Sequence, residues 1–284
     1  MVGNNKINKR ILIVGVARSG TTLLQSMLYS HSGIFSFPET HFFDYTIPTP
    51  KIARLFKVHG KKSHSIIREY FSRINASRNI TFSDKKYFST RGWVKYIIEI
   101  LDEFTRNNGY NIWLEKTPRH LNYINVIERA TEDSFFLHVL RPGKDVVASL
   151  YGVSNKNPHR FGGKQSIDDC IKRWQKEVKL SLKHGSKQNH ILVRYEKLIQ
   201  QPREILQKIC DRLSLPFQKQ MLEYQNKADN LRFPEETWKE KNSKSLSKGD
   251  KFSRYFNKQE QEYIIKRTSR LENKIKTKIP DGIL

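Results

Sequence analysis

Residues 15–22 read GVARSGTT, after the apolar run ILIV (residues 11–14) and before LLQSMLYSH (residues 23–31). A β-branched run, a turn bounded by Gly15 and Gly20, and a helical pattern predict strand, loop and helix in that order. At such a junction the first helical amides have no partner within the helix, and the helix dipole adds positive potential. The loop is therefore an anion site. Gly15 and Gly20 allow the backbone angles and the close approach that phosphate oxygens need. Ser19 lies inside the loop, Thr21 and Thr22 add hydroxyl donors in the first helical turn, and Arg18 brings a cation.

The frame GxxxxGK[ST] of a triphosphate-binding loop agrees at both glycines and at the last hydroxyl. Thr21 stands where the lysine belongs, and Arg18, three residues earlier, replaces its charge. The strands expected further along end on Lys116, Arg141 and Tyr195, so no acidic strand end offers itself to a magnesium ion.

Fifty-two basic residues against 28 acidic give a formal charge of +24. That surplus attracts polyanions and predicts weak binding to them, lost as salt rises. No recognition helix or stacking-aromatic pattern accompanies it, which argues against a specific nucleic-acid partner. The apolar run near the start, residues 11–17, is too short to span a bilayer, so we expect no membrane partner and a cytoplasmic location. The lysine- and asparagine-rich composition points to a bacterial source. Cys170 and Cys210 lie in amphipathic helical patterns and are expected to be buried and reduced, and no CxxC or Cys/His cluster suggests zinc.

Four runs read as buried parallel strands: residues 10–16, 111–116, 134–141 and 190–195. Helical patterns lie over residues 21–30, 93–107, 122–130, 145–152, 167–183, 202–213 and 258–274. Their alternation predicts an α/β protein, a P-loop-like three-layer α/β/α arrangement with a central, mostly parallel sheet. Without a repeat or linker, residues 1–284 read as a single domain. A helical insertion at 46–92 and an irregular loop at 225–256 are expected to flank the site.

GVARSGTTLL resembles the 5′-phosphosulfate loop of sulfotransferases that use 3′-phosphoadenosine 5′-phosphosulfate (PAPS). LRPGKDVVAS (residues 140–149) is similar to that family's 3′-phosphate motif, with Arg141, Asp145 and Ser149 in register and the proline moved by one place. Arg141 and Ser149 would hold the 3′-phosphate, while Asp145 suits a helix cap or loop anchor. WLEKTPRHL (residues 113–121) places Lys116 where the family's lysine meets the transferring sulfuryl group. RYEKLIQQP (residues 194–202) places Tyr195 near the adenine, and Lys248-Gly249 loosely match a late loop over the 3′-phosphate. The four firm motifs occur in the family's order and cover about residues 10–45 and 110–215. The resemblance implies PAPS as co-substrate, 3′,5′-adenosine bisphosphate as product, and no metal.

FPETHFFD (residues 37–44) resembles the family's glutamate-bearing segment, which makes Glu39 the first candidate for general base; His41 and His120 are the others. The acceptor implied is a hydroxyl or amine on a glycan, a peptide tyrosine or a specialised metabolite, with residues 46–92 and 152–166 as its wall. Oligomeric state is not encoded in any of these features. Three rival readings remain: a P-loop kinase or NTPase, a basic nucleic-acid-binding protein, and a binding module without catalysis.

Overall fold

A computed structural model describes residues 6–55, 58–76, 80–228, 231 and 250–284. In its first half β1 (Lys9–Gly15), α1 (Thr21–Tyr29), β2 (Phe35–Ser36), α2 (Phe42–Thr46), α3 (Lys51–Leu55), α4 (Lys61–Arg73) and α5 (Thr90–Asn107) lead to β3 (Ile112–Lys116). A 3₁₀ turn (Pro118–Tyr123), α6 (Ile124–Glu128), β4 (Ser134–Leu140), α7 (Gly143–Lys156), α8 (Pro158–Phe161) and α9 (Ile167–His184) follow. Then come β5 (His190–Arg194), α10 (Tyr195–Gln200), α11 (Pro202–Arg212), a second 3₁₀ turn (Lys219–Leu222), α12 (Gln225–Ala228), α13 (Lys251–Tyr255) and α14 (Lys258–Lys278).

The five strands are all parallel, in the order β2-β3-β1-β4-β5. Side chains alternate between the two faces of a strand, and both faces are covered. Ile11 and Ile13 join Leu24, Leu28, Ile205 and Ile209, whereas Leu12 and Val14 join Ile97, Leu101 and Trp113. Thus α1 and α11 cover one face. On the other lie α5 and α6, with α7, α9 and α14 around Leu140, Leu192 and Trp174. This is the expected three-layer arrangement.

Chain order places β3 on one side of β1 and β4 on the other. In open parallel sheets such a reversal splays the loops at the strands' carboxyl ends and leaves a crevice. Gly15, Lys116, Leu140 and Arg194 all end at that edge, in register through Ile13↔Lys116, Gly15↔Val139 and Leu140↔Arg194.

The elements differ from expectation in four places. β2 is a fifth strand of two residues, too short to leave a period-2 pattern in the sequence. The helix expected over 122–130 is shorter, Ile124–Glu128, because Pro118 opens a 3₁₀ turn that runs to Tyr123 before α6 begins. Asp145 does not cap α7, which already begins at Gly143; the Gly143 amide donates to Glu272 of α14 at 2.8 Å. A Cβ at Gly143 would lie 2.5 Å from Thr268 Cγ2, so the departure Pro142-Gly143 is the sequence signature of α14 packed against the start of α7. Within the stretch read as irregular, α13 is helical, with Phe252 and Phe256 buried beside α7. The expected pair Lys248-Gly249 lies outside the described residues. Cys170 and Cys210 are free and buried, as anticipated. Among the described residues no helix is long and apolar enough to cross a membrane.

Across the sheet floor Asp102 of α5 accepts from Arg10 Nε at 3.1 Å, Arg10 Nη2 at 2.6 Å and Trp113 Nε1 at 2.7 Å. Removing one member of a nearly buried ion pair leaves the other charge stranded. Asp102→Ala should therefore lower stability by about 3–5 kcal/mol, read from urea unfolding, whereas a substitution at the exposed pair Arg68–Asp84 should change it by less than about 1 kcal/mol.

Candidate active site

The loop after β1 is shaped by close packing. Gly15 has φ +136°, and a Cβ there would sit 2.9 Å from the Val139 carbonyl of the neighbouring strand. Arg18 adopts the left-handed region at φ +74°, unusual for a residue with a Cβ. Ser19 is buried, and both its hydroxyl, at 2.6 Å, and its amide, at 3.1 Å, donate to the Val16 carbonyl, so the residue holds the turn. Gly20, at φ +96°, opens α1; a Cβ would lie 2.3 Å from the Tyr195 ring. Tyr195 therefore packs on the loop. The nine-residue α1 has no side-chain cap and no acidic residue in its first turn, where Thr21 and Thr22 stand.

Four of the expected residues, Arg18, Arg141, Ser149 and Tyr195, converge here. Arg18 Nε donates to Ser149 Oγ at 3.2 Å, and Arg141 Nη1 donates to the Arg18 carbonyl at 3.3 Å. The Arg141 guanidinium lies over the Tyr195 ring, 4.5 Å from its centroid, and Trp174 Nε1 holds the Arg141 carbonyl at 3.1 Å. Asp145 is 3.7 Å from Arg141 Nε, which is buried and has no hydrogen-bond partner among the described residues. Burial and the charge of Arg141 push the Arg18 guanidinium below its ordinary value. Lys251 of α13 is likewise lowered by burial and by Arg18, Arg141 and Lys156. The motif reading missed Lys251, although it lies two residues beyond the expected Gly249. These four cations repel one another across one crevice, at the open start of a helix. The arrangement favours a multiply charged anion.

The second half of the site hangs from a buried carboxylate. Glu115 of β3 is fully enclosed; its Oε1 accepts from the Thr40 amide at 3.2 Å, Thr40 Oγ1 at 3.1 Å and Thr117 Oγ1 at 2.5 Å. His120 Nδ1 donates to Glu115 Oε2 at 3.0 Å, and His120 Nε2 faces Asp44 Oδ1 at 3.4 Å. These bonds fix the segment that carries Glu39 and His41 against the strand end that carries Lys116. Glu39 forms an ion pair with Lys116, and its second oxygen faces His41 Nε2 at 3.2 Å. His41, at φ +53°, turns its Nδ1 to Asp44 at 3.2 Å and stacks on Tyr45, 4.8 Å between ring centroids.

Asp44 and Glu115 were also missed. Each is a single acid beside a noticed residue, and pattern alone does not separate it from a surface charge. Burial would depress the His41 imidazole, but hydrogen bonds and charges from Asp44 and Glu39 overcome this and raise it to about 9. Burial would raise Asp44, yet His120 and His41 hold it well below the usual carboxylate range. For His120 burial is again outweighed, by Glu115 and Asp44, and the ring is raised. His41 is therefore protonated at neutral pH. His120 is enclosed, between two carboxylates.

Residues 10–219 match the sulfotransferase family, and the chain belongs to that family. That membership does not favour the kinase reading of the first loop. The fold is that of solved sulfotransferases. A sulfotransferase domain from the curacin biosynthetic pathway shares 18% identity at TM-score 0.56, over 93% of this chain and 98% of that one. One from the olefin synthase of Synechococcus PCC 7002 shares 20% at TM-score 0.52, over 96% and 90%. The sulfotransferase STF9 of Mycobacterium avium shares 11% at TM-score 0.54, over 96% and 78%. An uncharacterized protein of Aquifex aeolicus is 23% identical over 228 residues; the match takes in 78% of this chain and only 28% of that curated relative's length.

The raised His41 has a stability signature. A group whose value is higher in the folded protein adds stability fully present below its unfolded value, about 6.5, and lost as pH rises through about 9. Wild type should thus lose more of its melting temperature between about pH 6 and pH 10 than His41→Gln does, measured by thermal unfolding in parallel. Equal slopes would mean that His41 carries no such shift.

Proposed function

We propose that this chain transfers the sulfuryl group of PAPS to a hydroxyl or amine. The observation that carries this reading is the cluster of Arg18, Arg141 and Lys251 around Ser149 and the uncapped start of α1. PAPS presents a 5′-phosphosulfate and a 3′-phosphate, two anionic groups on one ribose. In the proposal Arg18, the Gly20 amide, and Thr21 and Thr22 hold the 5′-phosphosulfate, on a turn that Ser19 closes. Arg141, Ser149 and Lys251 hold the 3′-phosphate, a role the resemblance extends to Lys248 and Gly249, which lie outside the described residues. Tyr195 lies by the adenine, and its packing on Gly20 supports that placement.

Glu39 is the base we favour. A protonated His41 has no lone pair to accept a proton, and an enclosed His120 has no path to an acceptor. Glu39 is an acceptor already oriented by Lys116 and His41. As the acceptor oxygen or nitrogen attacks sulfur, its proton passes to Glu39, and the S–O bond to the 5′-phosphate breaks. Lys116 and Arg18 stabilise the charge on the departing phosphate oxygen. No step needs a metal. Tyr45, stacked on His41 and 60% exposed, offers an aromatic face to the incoming acceptor. That face suits a glycan ring, a peptide tyrosine or an aromatic metabolite.

Calorimetric titration with 3′,5′-adenosine bisphosphate, beside ATP with magnesium, tests the donor site. Metal-free binding of the bisphosphate, weakened roughly 10–100-fold by Arg141→Ala, is the expected result. Preference for ATP with magnesium would overturn the reading. With PAPS and a competent acceptor, Glu39→Gln should lower kcat by about 10²–10⁴-fold and leave bisphosphate affinity nearly unchanged. Full turnover in that variant would remove Glu39 from the mechanism.

A further inference from the structure

Three histidines and a glutamate meet towards the amino-terminal edge of the sheet, away from the crevice. Glu128 ends α6, His184 ends α9, His190 opens β5, and His138 lies on β4, in register beside Leu192. His138, His184 and His190 are all buried. The His184 and His190 rings are nearly parallel, 5.1 Å between centroids, and His138 is 5.1 Å from His190.

Hydrogen bonding orders the protons. Glu128 Oε1 accepts from His190 Nε2 at 2.9 Å, so His190 Nδ1 is the lone pair that accepts from His138 Nε2 at 2.8 Å. That leaves His138 Nδ1 as a bare lone pair, and it is buried without a partner among the described residues. His184 Nδ1 is buried and unpartnered as well. Buried polar atoms are nearly always satisfied, and an orphan costs on the order of 1–3 kcal/mol. The His184 orphan, beside the Glu128–His190 pair, calls for a missing partner.

We propose that Glu128, His184 and His190 bind a zinc-class divalent ion. One ligand atom from each lies within 4.8 Å of the others. Tetrahedral zinc at about 2.0–2.1 Å from nitrogen spaces its ligand atoms roughly 3.3 Å apart, so the Glu128–His190 pair, at 2.9 Å, opens slightly and the three adjust by side-chain rotation. Two neutral imidazoles, one carboxylate and a water make a donor set that zinc accepts. On binding, the His190 proton moves from Nε2 to Nδ1 and is held by His138 Nε2, while His138 carries its own proton on Nδ1. That proton shift fixes the ligating tautomer, as outer-shell partners do in metal sites. Lys187, which donates to the other Glu128 oxygen at 2.5 Å, orients the carboxylate. The ion would pin α6, α9 and β5 together and takes no part in sulfuryl transfer.

The test is equilibrium dialysis of the chelator-treated protein against zinc chloride, with cobalt(II) as a spectroscopic substitute. One ion per chain, the visible absorption of low-coordinate cobalt, and a raised melting temperature are expected. Glu128→Gln keeps an acceptor for His190, and His184→Gln keeps a polar group of similar reach; each should weaken binding about tenfold or more. His159→Ala, at an exposed histidine outside the cluster, should bind as wild type does. Circular dichroism of each variant reports its fold. No retained ion in wild type, or equal retention in wild type and in both cluster variants, would overturn the site.

Discussion

A carboxylate sealed inside a protein needs donors on every side, and Glu115 has them. Its four hydrogen bonds come from Thr40, Thr117 and His120, which belong to separate stretches of the chain on either side of β3. Because leaving any buried donor or acceptor unpaired is costly, the group acts as a unit. The position of Glu39 against Lys116 follows from it. So does His41, held at a left-handed backbone angle that few side chains adopt unaided. The network continues through His120 and Asp44 to His41, so acidic and basic groups alternate from the sheet's interior to the mouth of the crevice.

The two halves of the site are built on opposite electrostatic rules. Around Glu39 every charge has a counter-charge within about 3.5 Å, which makes that half rigid without a ligand. Around Arg18 and Arg141 cations face cations, with Asp145 at 3.7 Å the acid beside them. Such repulsion is tolerated in a folded chain when an anion relieves it, and the helix start adds to the same field. One half is thus neutralised from within, and the other keeps an excess of positive charge.

Much of this was legible in the residues. β1, its loop and α1 were readable because glycine, hydroxyl and apolar signals fall within twenty residues and each has a local cause. The four longer strands stand out for the same reason, being buried on both faces. β2 was hidden, since two residues carry no periodicity. The cap of α7 was misread because its acceptor, Glu272, comes from a helix 129 residues away. Glu115 and Asp44 are identified by burial, a property of the assembled molecule. The imidazole cluster likewise draws on four elements, and the spacing of its members along the chain resembles no metal motif.

The sheet's registers bear on the order in which this chain acquires its shape. β1 pairs with residues 112–116 on one side and 134–139 on the other. Long-range pairings of this kind slow folding, since loop closure precedes the contacts that reward it. During synthesis the first strand must wait for more than a hundred residues to emerge before either neighbour exists. Gly15 takes its backbone angle against the Val139 carbonyl, and Gly20 against the Tyr195 ring. The loop after β1 is thus made well before the segments that sculpt it: the nascent chain carries Arg18 long before the walls around that residue exist.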